Sequence, residues 1–78
     1  MKKGRIEYWT KDGIYVSYTD NDIAFEELAT VSGILIKNDG TIVFNNFDAE
    51  KTKYFIEYFN RIFPTVVRLR TMERMGLI

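Results

Sequence analysis

Apolar and polar residues alternate between Arg5 and Tyr18, and again between Gly33 and Asn45, each time around a short polar turn that ends in glycine. A period of two marks half-buried strands, so both stretches read as β-hairpins. The turns are Lys11-Asp12-Gly13 and Asn38-Asp39-Gly40. A three-residue hairpin loop closes on a residue with positive φ, which glycine adopts without a Cβ clash. That loop length sets Trp9 opposite Tyr15, Tyr8 opposite Val16 and Ile6 opposite Tyr18. In the second hairpin it sets Ile36 opposite Ile42, Leu35 opposite Val43 and Ile34 opposite Phe44. Because strand side chains alternate between faces, Ile6, Tyr8, Ile14, Val16, Tyr18, Ile34, Ile36, Ile42 and Phe44 are expected on a core face. Arg5, Glu7, Trp9, Tyr15, Ser17, Leu35, Lys37, Thr41, Val43 and Asn45 are expected on the other.

The period changes after Asn46. Tyr54, Phe55, Tyr58, Phe59 and Ile62 recur every three or four residues, the spacing of one helical face. Asp48 is placed to cap this helix, with Phe47 at the staple position just outside it. Pro64 is expected to end it, since proline lacks an amide donor and restricts the residue before it. A shorter helix is expected over Asp20–Thr30, capped by Asp20, Asn21 or Asp22, with Ile23, Ala24, Leu28 and Val31 as its apolar stripe. Beyond Pro64, Val67 and Leu69 alternate with Arg68 and Arg70, which predicts an edge strand over residues 65–71. The tail from Met72 to Ile78 reads as a helical turn or an arm. The expected fold is α+β: two hairpins forming a four-stranded, mainly antiparallel sheet, with room for a fifth, C-terminal edge strand, packed on one long helix, and a short helix between the hairpins.

Length bounds this to a single domain spanning residues 1–78, because 78 residues cannot enclose two cores. A hydrophobic fraction of 46% with zero net charge is that of a folded globular chain, and a core of this size gains from association with itself or a partner. No run of eighteen apolar residues exists to cross a membrane, and the charges of Arg5 and Glu7 interrupt what would be the apolar stretch of a signal peptide, so the cytoplasm is expected. The abundance of Ile, Asn, Lys, Phe and Tyr fits a low-GC microbe or a virus, whose host cytoplasm would then be the location.

The chain has no His and no Cys, which removes the commonest general base, the commonest metal ligand and the thiolate nucleophile. Ser17 and Ser32 sit in no nucleophile elbow. No glycine-rich phosphate loop occurs, and no cofactor is expected. Asp20, Asp22, Glu26 and Glu27 form an acidic knot, but Phe25 stands where a calcium loop needs glycine, and helix capping accounts for acids at these positions. A metal-dependent enzyme built on that knot is the least supported reading; no catalytic residue and no metal ligand is assigned.

Two surfaces remain. Trp9, Tyr15, Leu35 and Val43 would cluster on the second sheet face, as a site for a homodimer or for another protein that the chain inhibits or regulates. Arg68, Arg70 and Arg74, with Arg61 nearby and aromatic rings for base stacking, would suit a nucleic acid, although zero net charge argues against it. The expected function is that of a non-enzymatic protein-interaction module, with nucleic-acid binding as the alternative.

Overall fold

A computed structural model describes residues 4–77. Lys2, Lys3 and Ile78 therefore lie outside the described residues. Five strands, β1 (Ile6–Lys11), β2 (Ile14–Tyr18), β3 (Asp22–Glu27), β4 (Ser32–Lys37) and β5 (Ile42–Asn45), precede one helix, α1 (Ala49–Arg74). The strands form a single antiparallel sheet in chain order, β1-β2-β3-β4-β5, so every connection is a hairpin. The class is α+β as expected, with five strands instead of four and no short helix.

The segment expected as that helix is the central strand. Ile23 and Phe25 alternate onto the helix side of the sheet and are fully buried, while β3 pairs with a neighbour on each side. An isolated helix of about eleven residues is marginal in water, whereas a central strand satisfies its backbone along both edges. The acids read as helix caps close the β2–β3 turn instead. Thr19 N donates to the carbonyl of Asp22 at 3.0 Å, and the Thr19 hydroxyl donates to Asp22 Oδ1 at 3.0 Å.

Register departs from the expectation through two bulges. Lys11 pairs with Ile14, leaving a two-residue turn in which Asp12 (φ 54°) and Gly13 (φ 77°) both take left-handed backbone, the geometry that matches strand twist. The missing loop residue reappears as a bulge between Glu7 and Trp9. Ile6 still faces Tyr18, but Trp9 faces Val16 and moves to the helix side. The second hairpin keeps its three-residue loop, with Gly40 at φ 91° and Ile36 opposite Ile42. A bulge then sets Leu35 against Phe44 and Ile34 against Asn45, in place of Leu35–Val43 and Ile34–Phe44. Phe44 consequently leaves the expected core face.

The core is the contact between one sheet face and α1. Val16, Tyr18, Ile23, Phe25, Ile34 and Ile36 meet Phe55, Tyr58, Phe59, Ile62 and Val66. Phe25 is its centre, with ring centroids 5.4 Å from Phe55 and 5.0 Å from Tyr58. Asp48 caps the helix by accepting from Lys51 N at 2.8 Å, and Phe47 stacks on Phe55 at 4.7 Å. At the other end Gly76 (φ 75°) donates to Glu73 O and Leu77 N donates to Met72 O, the paired bonds of a glycine-terminated helix.

Pro64 does not stop α1, and the predicted edge strand over residues 65–71 is its last third. Phe59, Ile62, Val66 and Leu69 continue one face at helical spacing straight through the proline, so the sheet holds the helix together across the lost hydrogen bond. Proline in a helix interior costs about 3 kcal/mol relative to alanine. Pro64 is itself exposed, so replacing it removes no core contact. Pro64→Ala should raise stability by about 1–3 kcal/mol, read as a higher urea midpoint with an unchanged slope.

Candidate functional site

With α1 on one side, no second helix or strand among the described residues covers the other face of the sheet. Its rows follow from the register: Glu7, Ser17, Ala24, Leu35 and Phe44 lie side by side across all five strands, and Thr10, Tyr15, Glu26 and Gly33 form the next row. Part of this face, around Ser17 and Asp22, is covered by a single side chain. Arg5 lies over it, donating from Nε to Ser17 Oγ at 3.0 Å, from Nη2 to Ser17 O at 3.2 Å and from Nη1 to Asp22 Oδ1 at 2.8 Å. This strap explains why Ser17 is fully buried on a face without a covering element.

Past the strap the face is a groove of about 510 Å³, walled by Ala24, Leu28, Val31, Leu35 and Phe44 with Arg5 and Glu26 at its margins. Phe44 is 55% exposed and Val31 is 87% exposed. Gly33 lies in the wall, where an added Cβ would come within 3.2 Å of the Phe25 carbonyl oxygen. Val31 also has φ 54°, a left-handed conformation that a β-branched residue rarely takes. Val31 is the last residue of the β3–β4 turn, whose closure calls for left-handed backbone that glycine would supply without strain, and strain of this kind costs on the order of 1–3 kcal/mol.

The residues expected to form the interaction surface are split. Tyr15 and Leu35 do lie on the open face, and Val43 is the extra residue of the β5 bulge, half exposed beside Phe44. Trp9 is on the opposite side, its Nε1 donating to Tyr58 Oη at 2.6 Å. Leu28, Val31 and Phe44 were missed because the first two were assigned to a helix and the third to the core.

The three C-terminal arginines do not share one surface, because they are helical: Arg70 and Arg74, four residues apart, lie on one face and Arg68 on another. Arg68, exposed, donates to the Thr65 hydroxyl at 3.3 Å, and two positions of helix turn it about 200° from Arg70. Arg74 approaches Asp20 at 3.7 Å. Arg70 is only 5% exposed; its Nε donates to Thr19 O at 2.7 Å and its Nη2 to Asp22 O at 3.2 Å, tying the end of α1 to the β2–β3 turn. Burial draws its pKa down, opposed by the carboxylates of Asp20 and Asp22. The Tyr18 ring lies against it, centroid 5.9 Å from the guanidinium, and Tyr18 Oη donates to Glu73 at 2.7 Å.

The acidic knot is dispersed in the same way. Asp22 is held by Arg5, and Glu27 faces the helix, where Lys51 Nζ reaches it at 2.8 Å and pulls its pKa down. Among the described residues no group of three or more acidic side chains is arranged to hold a metal ion, and no helix is long and apolar enough to cross a membrane. No protein-family model, curated protein or solved structure matches the chain.

The Tyr18–Glu73 contact carries a pH signature. Burial, then the hydrogen bond to Glu73 and its charge, push the Tyr18 pKa up from 10.0 to about 12. A phenol that ionises later in the folded state than in the unfolded one contributes stability that is intact below pH 10 and lost as pH rises toward 12. Tyr18→Phe should therefore lose less stability than the wild type between pH 10 and 12, measured by urea melts at each pH.

Proposed function

We propose that the chain acts by binding and not by chemistry, its open sheet face docking an apolar protein surface, in the first instance a second copy of itself. The observation that carries this reading is the pair of exposed side chains, Phe44 and Val31, flanking Leu35 over a groove that the chain's own helix leaves uncovered. A strained, outward-facing valine supports it further, because strain tends to persist where a surface serves contact more than folding. A core this small also gains from burying more apolar area on association. Regulation or inhibition of a partner would follow from occupancy alone.

Sedimentation from micromolar to millimolar concentration tests the reading. The wild type should self-associate, and Phe44→Asp should remain monomeric with an unchanged melting temperature, because Phe44 contributes little to the core. Trp9→Ala, altered on the opposite face, should associate like the wild type. A wild-type chain that stays monomeric throughout removes the reading. Val31→Gly separates binding from folding: relief of the left-handed strain should raise stability by about 1 kcal/mol, while the lost side chain weakens association severalfold.

A further inference from the structure

On the helix side, where the β1–β2 hairpin meets the first half of α1, four aromatic rings and two cations converge. Trp9 is fixed from two directions, by its Nε1 bond to Tyr58 Oη at 2.6 Å and by an edge-on contact with Tyr8 at a centroid distance of 5.6 Å. Tyr54, one helical turn before Tyr58, meets it edge-on at 6.0 Å. Lys11 Nζ stands 5.4 Å from the centroid of Trp9, and the Arg61 guanidinium stands 5.1 Å from that of Tyr58. The rings and cations line one open pocket of about 320 Å³, with Asp12 the single acid on its wall.

Core packing accounts for Tyr58 and, in part, for Tyr8, but not for Trp9 and Tyr54. Trp9 is 42% exposed and Tyr54 is 53% exposed. The indole has already spent its one hydrogen-bond donor on Tyr58, so what it offers a ligand is its π surface. Held in place before any ligand arrives, such a ring loses little freedom on stacking. The two cations that lie over the rings add a counter-charge for an anion attached to whatever stacks. Lys11 and Arg61 lie over the faces of Trp9 and Tyr58, and a planar base carrying a phosphate is complementary to this set because the base replaces the cation on the ring while the cation turns to the phosphate.

The geometry points to a nucleobase-phosphate site: the base stacks on Trp9 and Tyr54, and the phosphate lies between Lys11 and Arg61. A free nucleotide and an unpaired stretch of single-stranded nucleic acid present the same chemistry. A duplex does not, because its bases are already stacked. The site is on the far side of the sheet from the open groove and stands independently of the docking reading. It also uses none of Arg68, Arg70 and Arg74.

Trp9 is the only tryptophan, so its fluorescence reports on the site directly. Four probes are titrated: uridine monophosphate, a short oligodeoxythymidine, inorganic polyphosphate and a Glu-Tyr copolymer. Saturable quenching by the mononucleotide, the oligonucleotide or both supports the site, and which of them binds identifies the source. For the oligonucleotide, two phosphate contacts predict that a fourfold rise in salt weakens binding about sevenfold. Tyr54→Ala should weaken binding about tenfold and Arg61→Ala severalfold, with melting unchanged because both side chains are exposed. The proposal is overturned if neither nucleotide probe quenches at low salt, or if polyphosphate quenches as well as the oligonucleotide. Quenching by the Glu-Tyr copolymer alone, or indifference to both substitutions, overturns it too.

Discussion

One helix can shield only a strip of a five-stranded sheet. Four gaps between strands at about 4.8 Å make a sheet about 19 Å wide, while a helix with its side chains is about 11 Å across. The helix makes up in length only: 26 residues span about 39 Å, comparable with the 38 Å longest dimension of the described chain, and leave the width of the helix unchanged. The remaining features follow from that economy. The helix must run on through Pro64 to reach the far end of the core, and Arg70 and Glu73 must fasten it to Thr19 and Tyr18 there. The uncovered face must make do with one arginine laid over Ser17 and Asp22.

Arg5 and Arg70 thus solve related problems from opposite sides. Both reach the β2–β3 turn, one through the Asp22 carboxylate and the other through the Asp22 carbonyl. The turn carries the acids that compensate two largely buried guanidinium groups, which is why its acidic character has a structural meaning without a metal or a catalytic step. A buried arginine without such partners would be strongly destabilising.

Much of this was legible in the chain. The Asn38-Asp39-Gly40 turn, the Asp48 cap, the Phe47 staple and the aromatic face of the helix are local chemistry, and each stands where its residues indicate; the first Asp-Gly turn stands there too, but one residue shorter than the expected loop. The central strand was not legible, because Ile23, Ala24, Leu28 and Val31 fit a helical stripe while Ile23 and Phe25 fit an alternating one; pairing on both edges decides between them. The C-terminal third misleads for the opposite reason. Val67 and Leu69 alternate with arginines, yet Phe59, Ile62, Val66 and Leu69 already carry the helical period across the proline. The bulges at Tyr8 and Val43 leave no mark in the pattern at all, and a shift of one residue was enough to exchange the faces of Trp9 and Phe44. The open site was therefore readable at Leu35 and Tyr15, and unreadable at the residues whose faces depend on a bulge.

The order of elements along the chain has a consequence for its synthesis. All five strands leave the ribosome before α1 does, and hairpins form in about 1–10 μs. Until α1 docks, the meander has neither face covered, and its largest apolar residues, Phe25 among them, stand open to water and to other chains. The bulged, charge-bearing β1 strand then protects one edge of the nascent sheet against pairing with a neighbour, while β5, with Ile42, Val43 and Phe44, has no such charges. The vulnerable moment in the life of this protein is the interval before its helix docks.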